Sequence, residues 1–193
     1  MTAKILVTGG AGFIGSEIVK QLSAHDEYEI RVLDALTKQI HGNNPEKSYL
    51  FQSIKDCCDF IRGDVRDFTT VQKALEGVDV VLHLAAETGT GQSMYMINQY
   101  NEVNVMGLSN IFQALSLKGE SNTIRKVILS SSRSVYGEGE YQCPNCGVVY
   151  PRGRKTKDMM QGDFTMHCDK CNTALTLMPT TEDSKTTPNS LYA

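Results

Sequence analysis

Thr8-Gly9-Gly10-Ala11-Gly12-Phe13-Ile14-Gly15 decides how the rest of the chain is read. Ahead of it runs Ala3 to Val7, an apolar stretch broken by Lys4, which reads as a short buried strand. Behind it Ile14, Ile18, Val19 and Leu22 recur at helical spacing and predict a helix with that face buried. Between a strand and a helix each glycine has a task. Gly9 permits the tight turn, Gly12 lets backbone approach a pyrophosphate, and Gly15 lets the helix pack against the strand. The phosphates then sit at the helix N-terminus, where free N–H groups point. A glycine triplet alone is weak evidence. Ile30-Arg31-Val32-Leu33-Asp34 supplies a second feature, a strand ending in a carboxylate 19 residues after Gly15. Read singly, Asp34 merely ends a strand. Beside the glycine turn it becomes the acid that accepts the ribose hydroxyls of NAD and repels the 2′-phosphate of NADP.

The bulk numbers narrow the alternatives. A chain of 193 residues is long enough for one core of ordinary size. Its net charge of −3 comes from interspersed charges of both signs, so nothing argues electrostatically for nucleic acid. No apolar stretch approaches a membrane span, and the first apolar run is too short for a signal peptide. A cytoplasmic chain with no nucleic-acid or membrane partner is the expectation. No internal repeat is present.

Further along, Ala35 to Cys58 is polar and turn-rich and predicts a long loop with at most a short helix. Asp59 to Arg62 reads as a third strand and Phe68 to Leu75 as a short helix. Val78 to Leu84 is nearly continuous in apolar character, as a strand covered on both faces requires. Gln92 to Lys118 predicts one long helix, with Val103, Leu108, Ile111, Phe112 and Leu115 buried. Lys126 to Ser130 is a fifth strand running into a serine cluster. Alternating strands and helices predict an α/β fold, a Rossmann-type doubly wound parallel sheet with ligand at the strands' carboxyl ends.

Six motifs in order now resemble a known family. They are Thr8 to Gly15, Asp34, Gly63-Asp64-Val65-Arg66-Asp67, His83-Leu84-Ala85-Ala86, Asn104-Val105-Met106-Gly107, and Ser130-Ser131-Ser132-Arg133-Ser134-Val135-Tyr136-Gly137. Together they look like the extended short-chain dehydrogenase/reductases, specifically the NAD-dependent nucleotide-sugar epimerases and dehydratases. The likeness runs from Thr2 to about Tyr141 and resumes near Pro179. It implies NAD as cofactor, held by Gly9, Gly12, Phe13, Ile14, Gly15 and Asp34. By the same resemblance Asp64 and Val65 hold the adenine, Leu84, Ala85 and Ala86 line the cofactor's central part, and Asn104 supports the site.

Between Tyr141 and Met178 the composition changes. Cys143-Pro144-Asn145-Cys146 and Cys168-Asp169-Lys170-Cys171 are two CxxC pairs separated by 21 residues. Each pair places two thiolates on one turn, and two such turns complete a tetrahedral Zn²⁺ site with no position left for catalysis. Reduced structural cysteines or a redox pair are the alternatives. The expected organisation is a dinucleotide-binding domain over 1–141, a zinc-ribbon-like insertion over 142–178, and a return to the first domain over 179–193. His167 is surplus to four ligands and reads as a surface histidine. Cys57 and Cys58, adjacent and pointing apart, read as packed thiols. Arg152, Arg154, Lys155 and Lys157 read as a solvated basic loop, with an anionic ligand as the alternative. Family members acting on deoxythymidine-diphosphate-rhamnose at C4 carry a comparable cysteine-bearing insert after a stretch resembling Ser132 to Gly139.

Glu182 to Ala193 resembles the family's approach to its catalytic tyrosine, which makes Tyr192 that tyrosine and Ser132 its serine partner. A nucleotide-diphosphate sugar is the implied substrate and a homodimer the implied assembly. The family's lysine falls four positions after the tyrosine, at 196, past the last residue. The expectation is therefore the N-terminal part of a nucleotide-sugar 4-epimerase, inactive as it stands. Dehydratases of the family carry an acidic pair where Arg133 and Ser134 stand, which favours an epimerase. The competing readings are a non-catalytic NAD- and zinc-binding module, or a dehydratase or reductase of the same family.

Overall fold

Five stretches rich in valine, isoleucine and leucine form a parallel sheet in the computed structural model, which describes residues 2–193. In chain order the elements begin with β1 (Ala3–Thr8), α1 (Phe13–Ser23), β2 (Tyr28–Asp34), α2 (Lys38–His41) and α3 (Tyr49–Gln52). They continue with β3 (Asp59–Arg62), α4 (Phe68–Ala74), β4 (Val80–His83), α5 (Thr90–Ser93), α6 (Ile97–Tyr100), α7 (Gly107–Lys118) and β5 (Lys126–Leu129). The sheet order is β3-β2-β1-β4-β5 with every pairing parallel. Strand order reverses between β1 and β4, the place where doubly wound sheets bind ligands beyond their carboxyl ends.

Alternation along each strand sorts the core into two clusters. Leu6 and Leu33 join Val71, Leu75, Val81 and Ile111, while Ile5, Val7, Ile30 and Val32 join Val19 and Ile54. Successive strand side chains point to opposite faces, so β1 and β2 feed both clusters. Each fully buried leucine or valine stabilises by about 2 kcal/mol. The outer strand β5 leaves Ile128 and Leu129 exposed.

Chain contacts group residues 88–95 and 131–193 into a second unit. Its elements are β6 (Tyr141–Cys143), β7 (Gly147–Val149), α8 (Thr156–Met159) and β8 (Thr176–Leu177). The three strands form a small antiparallel sheet in the order β7-β6-β8. Among the described residues no helix is long and apolar enough to cross a membrane.

Several expectations need correction. The 35–58 segment carries two short helices, α2 and α3, and a 3₁₀ turn at Pro45–Lys47 where at most one short helix is expected, with Ser48 capping α3 by accepting from the Phe51 N–H at 3.3 Å. The single helix expected over 92–118 is interrupted after α5, and a π turn at Asn101–Met106 joins α6 to α7. Ile14 is exposed because α1 turns Gly15, Ser16 and Val19 inward. Phe112 is likewise exposed, since Gly107, Ile111 and Ala114 define the inner face of α7 and Phe112 lies a hundred degrees away from Ile111. Cys57 is exposed, whereas Cys58 is half-buried and burial pushes its thiol up to about 12.

Candidate functional site

The glycine turn is built as its sequence requires. Gly9 takes φ 69°, and a Cβ there would lie 2.7 Å from the Ala85 backbone nitrogen. A Cβ on Gly15 would sit 2.3 Å from the Gly9 carbonyl oxygen, so α1 can start this close to β1 only without a side chain. Gly12 differs. Its φ is −74°, and its missing Cβ would meet only the Gly9 oxygen, at 3.2 Å. Neither backbone nor severe crowding demands glycine at 12, and the space it leaves lies at the N-terminus of an eleven-residue helix with no side-chain cap and no acid in its first turn. Phe13 and Ile14 flank that space, 83% and 65% exposed. This chemistry fits a pyrophosphate, because helix N-terminal N–H groups and the helix dipole favour an anion there.

Asp34 closes β2 beside the turn. Its Oδ2 accepts from the Ala11 N–H at 2.9 Å and its Oδ1 from the Leu36 N–H at 2.8 Å, so both oxygens are held. Leu36 adopts φ 51°, a left-handed conformation uncommon outside glycine. From β3 follows Asp64, which receives the Arg66 N–H at 2.9 Å and its guanidinium Nη2 at 2.7 Å. Burial pushes the Asp64 carboxyl up, but the hydrogen bonds and charge of Arg66 outweigh it and hold the group below its usual range. Val65 buries its side chain in the core against the position of Gly107, so anything it offers a ligand comes from its backbone.

Beyond β4 the chain enters Leu84, Ala85 and Ala86. Leu84 and Ala85 pack on the two core clusters, and Ala86 is exposed. Asn104, on the π turn, clamps the next residue from both sides: its Oδ1 accepts the Glu87 N–H at 2.8 Å and its Nδ2 donates to the Glu87 carbonyl at 3.1 Å. Such wide turns recur at functional sites because they reposition a side chain without ending the helix. Beneath the loop the Thr8 hydroxyl lies 2.7 Å from His83 Nδ1 and accepts from the Ala85 N–H at 3.2 Å. Both side chains are buried, and burial lowers His83 to about 4, keeping it neutral at pH 7. Leu36, the pairing of His83 with Thr8 and the π turn escaped the sequence reading; two polar residues at the ends of two buried strands were the one available signal.

In the second unit Ser132 heads a 3₁₀ turn over Arg133–Tyr136, accepting the Ser134 N–H at 3.1 Å while keeping its own proton to donate. Thr187 fastens to this turn, its N–H on the Val135 carbonyl and its hydroxyl on the Tyr136 carbonyl, each at 2.9 Å. The segment leading to Tyr192 is thus laid along the turn that Ser132 opens. Tyr192 is half-buried, and its N–H donates to Ser93 Oγ at 3.2 Å.

The four cysteines converge. Cys143 ends β6, Cys146 precedes Gly147 at φ 75°, and Cys168 and Cys171 occupy a second turn closed by Asn172 at φ 59°. Their sulfurs all lie within 4.8 Å of one another, with Cys143 and Cys171 at 3.5 Å, too long for a disulfide. Tetrahedral zinc with Zn–S of about 2.3 Å needs sulfurs about 3.8 Å apart, so the donor set fits. The basic run disperses into local bonds: Arg154 pairs with Glu138 at 3.3 Å and donates to the Phe164 carbonyl, and Lys155 donates to Asn172. His167 is half-buried and bridges backbone with Ala174.

Several known proteins are similar to this chain. The model of the NAD dependent epimerase/dehydratase family matches residues 5–152. The dTDP-L-rhamnose 4-epimerase of Burkholderia thailandensis is 36% identical over 98% of this chain and 49% of its own length. A putative UDP-glucose 4-epimerase of Methanocaldococcus jannaschii is 35% identical over 71% of this chain and 41% of its own. Among solved structures, the UDP-glucuronic acid 4-epimerase of Bacillus cereus, bound to UDP-glucuronic acid and NAD, superposes with TM-score 0.66 at 26% identity, covering 98% of this chain and 47% of that one. The chain thus spans about half the length of these relatives. With its glycine cradle, held carboxylate and strand order, this chain belongs to the NAD-dependent epimerase/dehydratase family.

Proposed function

We propose that the full protein is an NAD-dependent nucleotide-sugar 4-epimerase, with a dTDP-rhamnose-like sugar as substrate. The observation that supports the sugar is the sequence match with the Burkholderia enzyme, 36% identical over 98% of the chain and so running through the cysteine-bearing segment, where the UDP-glucuronic acid enzyme that covers the same share is 26% identical. Tyr192 removes the proton from the C4 hydroxyl, and the Ser132 hydroxyl donates a hydrogen bond to the oxygen as it becomes a carbonyl. When bound, NAD supplies a hydride acceptor at C4 and returns the hydride to the other face, so none is consumed. Gly9, Gly12, Phe13, Ile14 and Gly15 would seat the pyrophosphate, Asp34 the ribose, Asp64 and Val65 the adenine, and Leu84, Ala85 and Ala86 the middle of the cofactor, with Asn104 bracing that loop.

Cys143, Cys146, Cys168 and Cys171 hold a structural Zn²⁺ on this reading, and the chain divides into a dinucleotide domain over 1–141, the zinc-ribbon-like insertion over 142–178 and the return over 179–193. The location is cytoplasmic. A homodimer forms across the π turn and α7, where Val105 and Phe112 are exposed; light scattering on the purified protein tests it, and a monomer refutes it.

The activity test incubates the full-length protein with dTDP-rhamnose and, separately, UDP-glucose, and follows C4 by proton NMR. Epimerisation of the rhamnose substrate is expected, with Tyr192→Phe slower by about a hundredfold or more. No epimer from either sugar refutes the proposal.

A further inference from the structure

Helix α2 is inverted in its burial. Ile40 is 48% exposed, while the neighbouring His41 has a side chain only 1% exposed. Burying an imidazole in preference to an isoleucine is costly unless its nitrogens have work. Nδ1 lies 2.7 Å from Ser48 Oγ. That oxygen also accepts the Phe51 N–H, and its single proton is best given to Nδ1. The ring proton then rests on Nε2, which faces Asp34 Oδ1 at 4.0 Å. The other tautomer would aim a lone pair at a carboxylate whose side chain is only 10% exposed.

We infer that His41 is a positioning residue for Asp34 and that it sets the protein's preference for NAD over NADP. This rests on the dinucleotide reading of the glycine turn. Three N–H groups surround the carboxylate, those of Ala11, Leu36 and the His41 ring, although only the first two are within hydrogen-bonding distance. The imidazole edge closes the remaining side, so the carboxylate cannot swing away from an approaching 2′-phosphate, and the repulsion is kept. Burial lowers His41 and the Asp34 charge opposes that, leaving a neutral ring that offers the phosphate no cation. Arg62, opposite Asp34 in the sheet register, is already paired with Glu46 at 2.7 Å.

The test is calorimetric titration of NAD⁺ and NADP⁺ into cofactor-free full-length protein, with thermal melts of each variant. His41→Ala is expected to narrow the NADP-to-NAD ratio of dissociation constants by about tenfold, because loss of the imidazole edge lets the Asp34 carboxylate turn away from the 2′-phosphate. His41→Gln, whose amide keeps an N–H, recovers most of the ratio. Ser48→Ala, which keeps the ring but frees its orientation, shifts the ratio in the same direction and decides the matter if His41→Ala does not fold. Equal weakening of both dinucleotides in these variants, or an unchanged ratio, overturns the inference and leaves the dinucleotide reading standing. Failure of the unaltered protein to bind either dinucleotide overturns both.

Discussion

The two units of the chain are held together by different physics. The sheet unit buries valines, leucines and isoleucines in two clusters, fed by its inner strands β1, β2 and β4 and by the helices. In the unit made of residues 88–95 and 131–193, the buried hydrophobic side chains are Tyr141, Cys143, Met166 and Cys168. Two of those four are cysteines of the sulfur cluster. So little apolar burial cannot offset the entropy of ordering such a length of chain, and small folds of this kind depend on a metal or another staple. The sheet carries the dinucleotide cradle on an apolar foundation, whereas on the proposed zinc reading the region bearing Ser132 and Tyr192 relies on the cysteines.

The largest expected effect follows directly. A structural zinc contributes on the order of 10 kcal/mol to a small domain. Cys143→Ser, or a strong chelator, should unfold the second unit and leave the sheet intact; zinc content and near-ultraviolet dichroism check it, and an unchanged second unit breaks the contrast. Acid should next weaken the sheet unit through His83. Its folded value of about 4 lies below the usual 6.5, so the unfolded chain binds the extra proton between those limits. Stability is therefore full above pH 6.5 and falls by about 3 kcal/mol as pH drops to 4. Urea unfolding followed by helix signal measures it, and replacement of His83 by Gln should flatten the profile.

Gly15→Ala comes third. Alanine favours a helix by about 1 kcal/mol, but the new Cβ meets the Gly9 oxygen at 2.3 Å, and the clash should win by about 2 kcal/mol and abolish NAD binding. A neutral or stabilising result would mean that the turn can relax. Smallest is Asp67→Ala, which removes the cap that accepts the Thr69 N–H at 3.0 Å and should cost about 1 kcal/mol in the sheet unit alone.

The same contrast explains what was legible in the sequence. Strands β1 to β5, the Gly9–Gly15 turn and Asp34 could be read because hydrophobic period and glycine chemistry act locally. The convergence of the four cysteines could be read because a CxxC spacing sets two thiols on one turn. The facing of α1 and α7 could not, since periodicity sets a helix's stripe but not its phase; close packing at Gly15 and Gly107 decides that, and Ile14 and Phe112 turned outward. Nor could His41 and Asp34 be paired, because the polar segment between them has no period and the short helix α2 forms only by docking. The ties from Thr187 to the turn after Ser132 span fifty residues, and no local pattern announces them.

Hydrogen exchange with and without a zinc chelator tests the central contrast most directly. The account predicts that residues 3–87 and 96–129 of the sheet unit keep their protection while 141–177 lose theirs as one block. Loss of protection in both units together, or in neither, would contradict it.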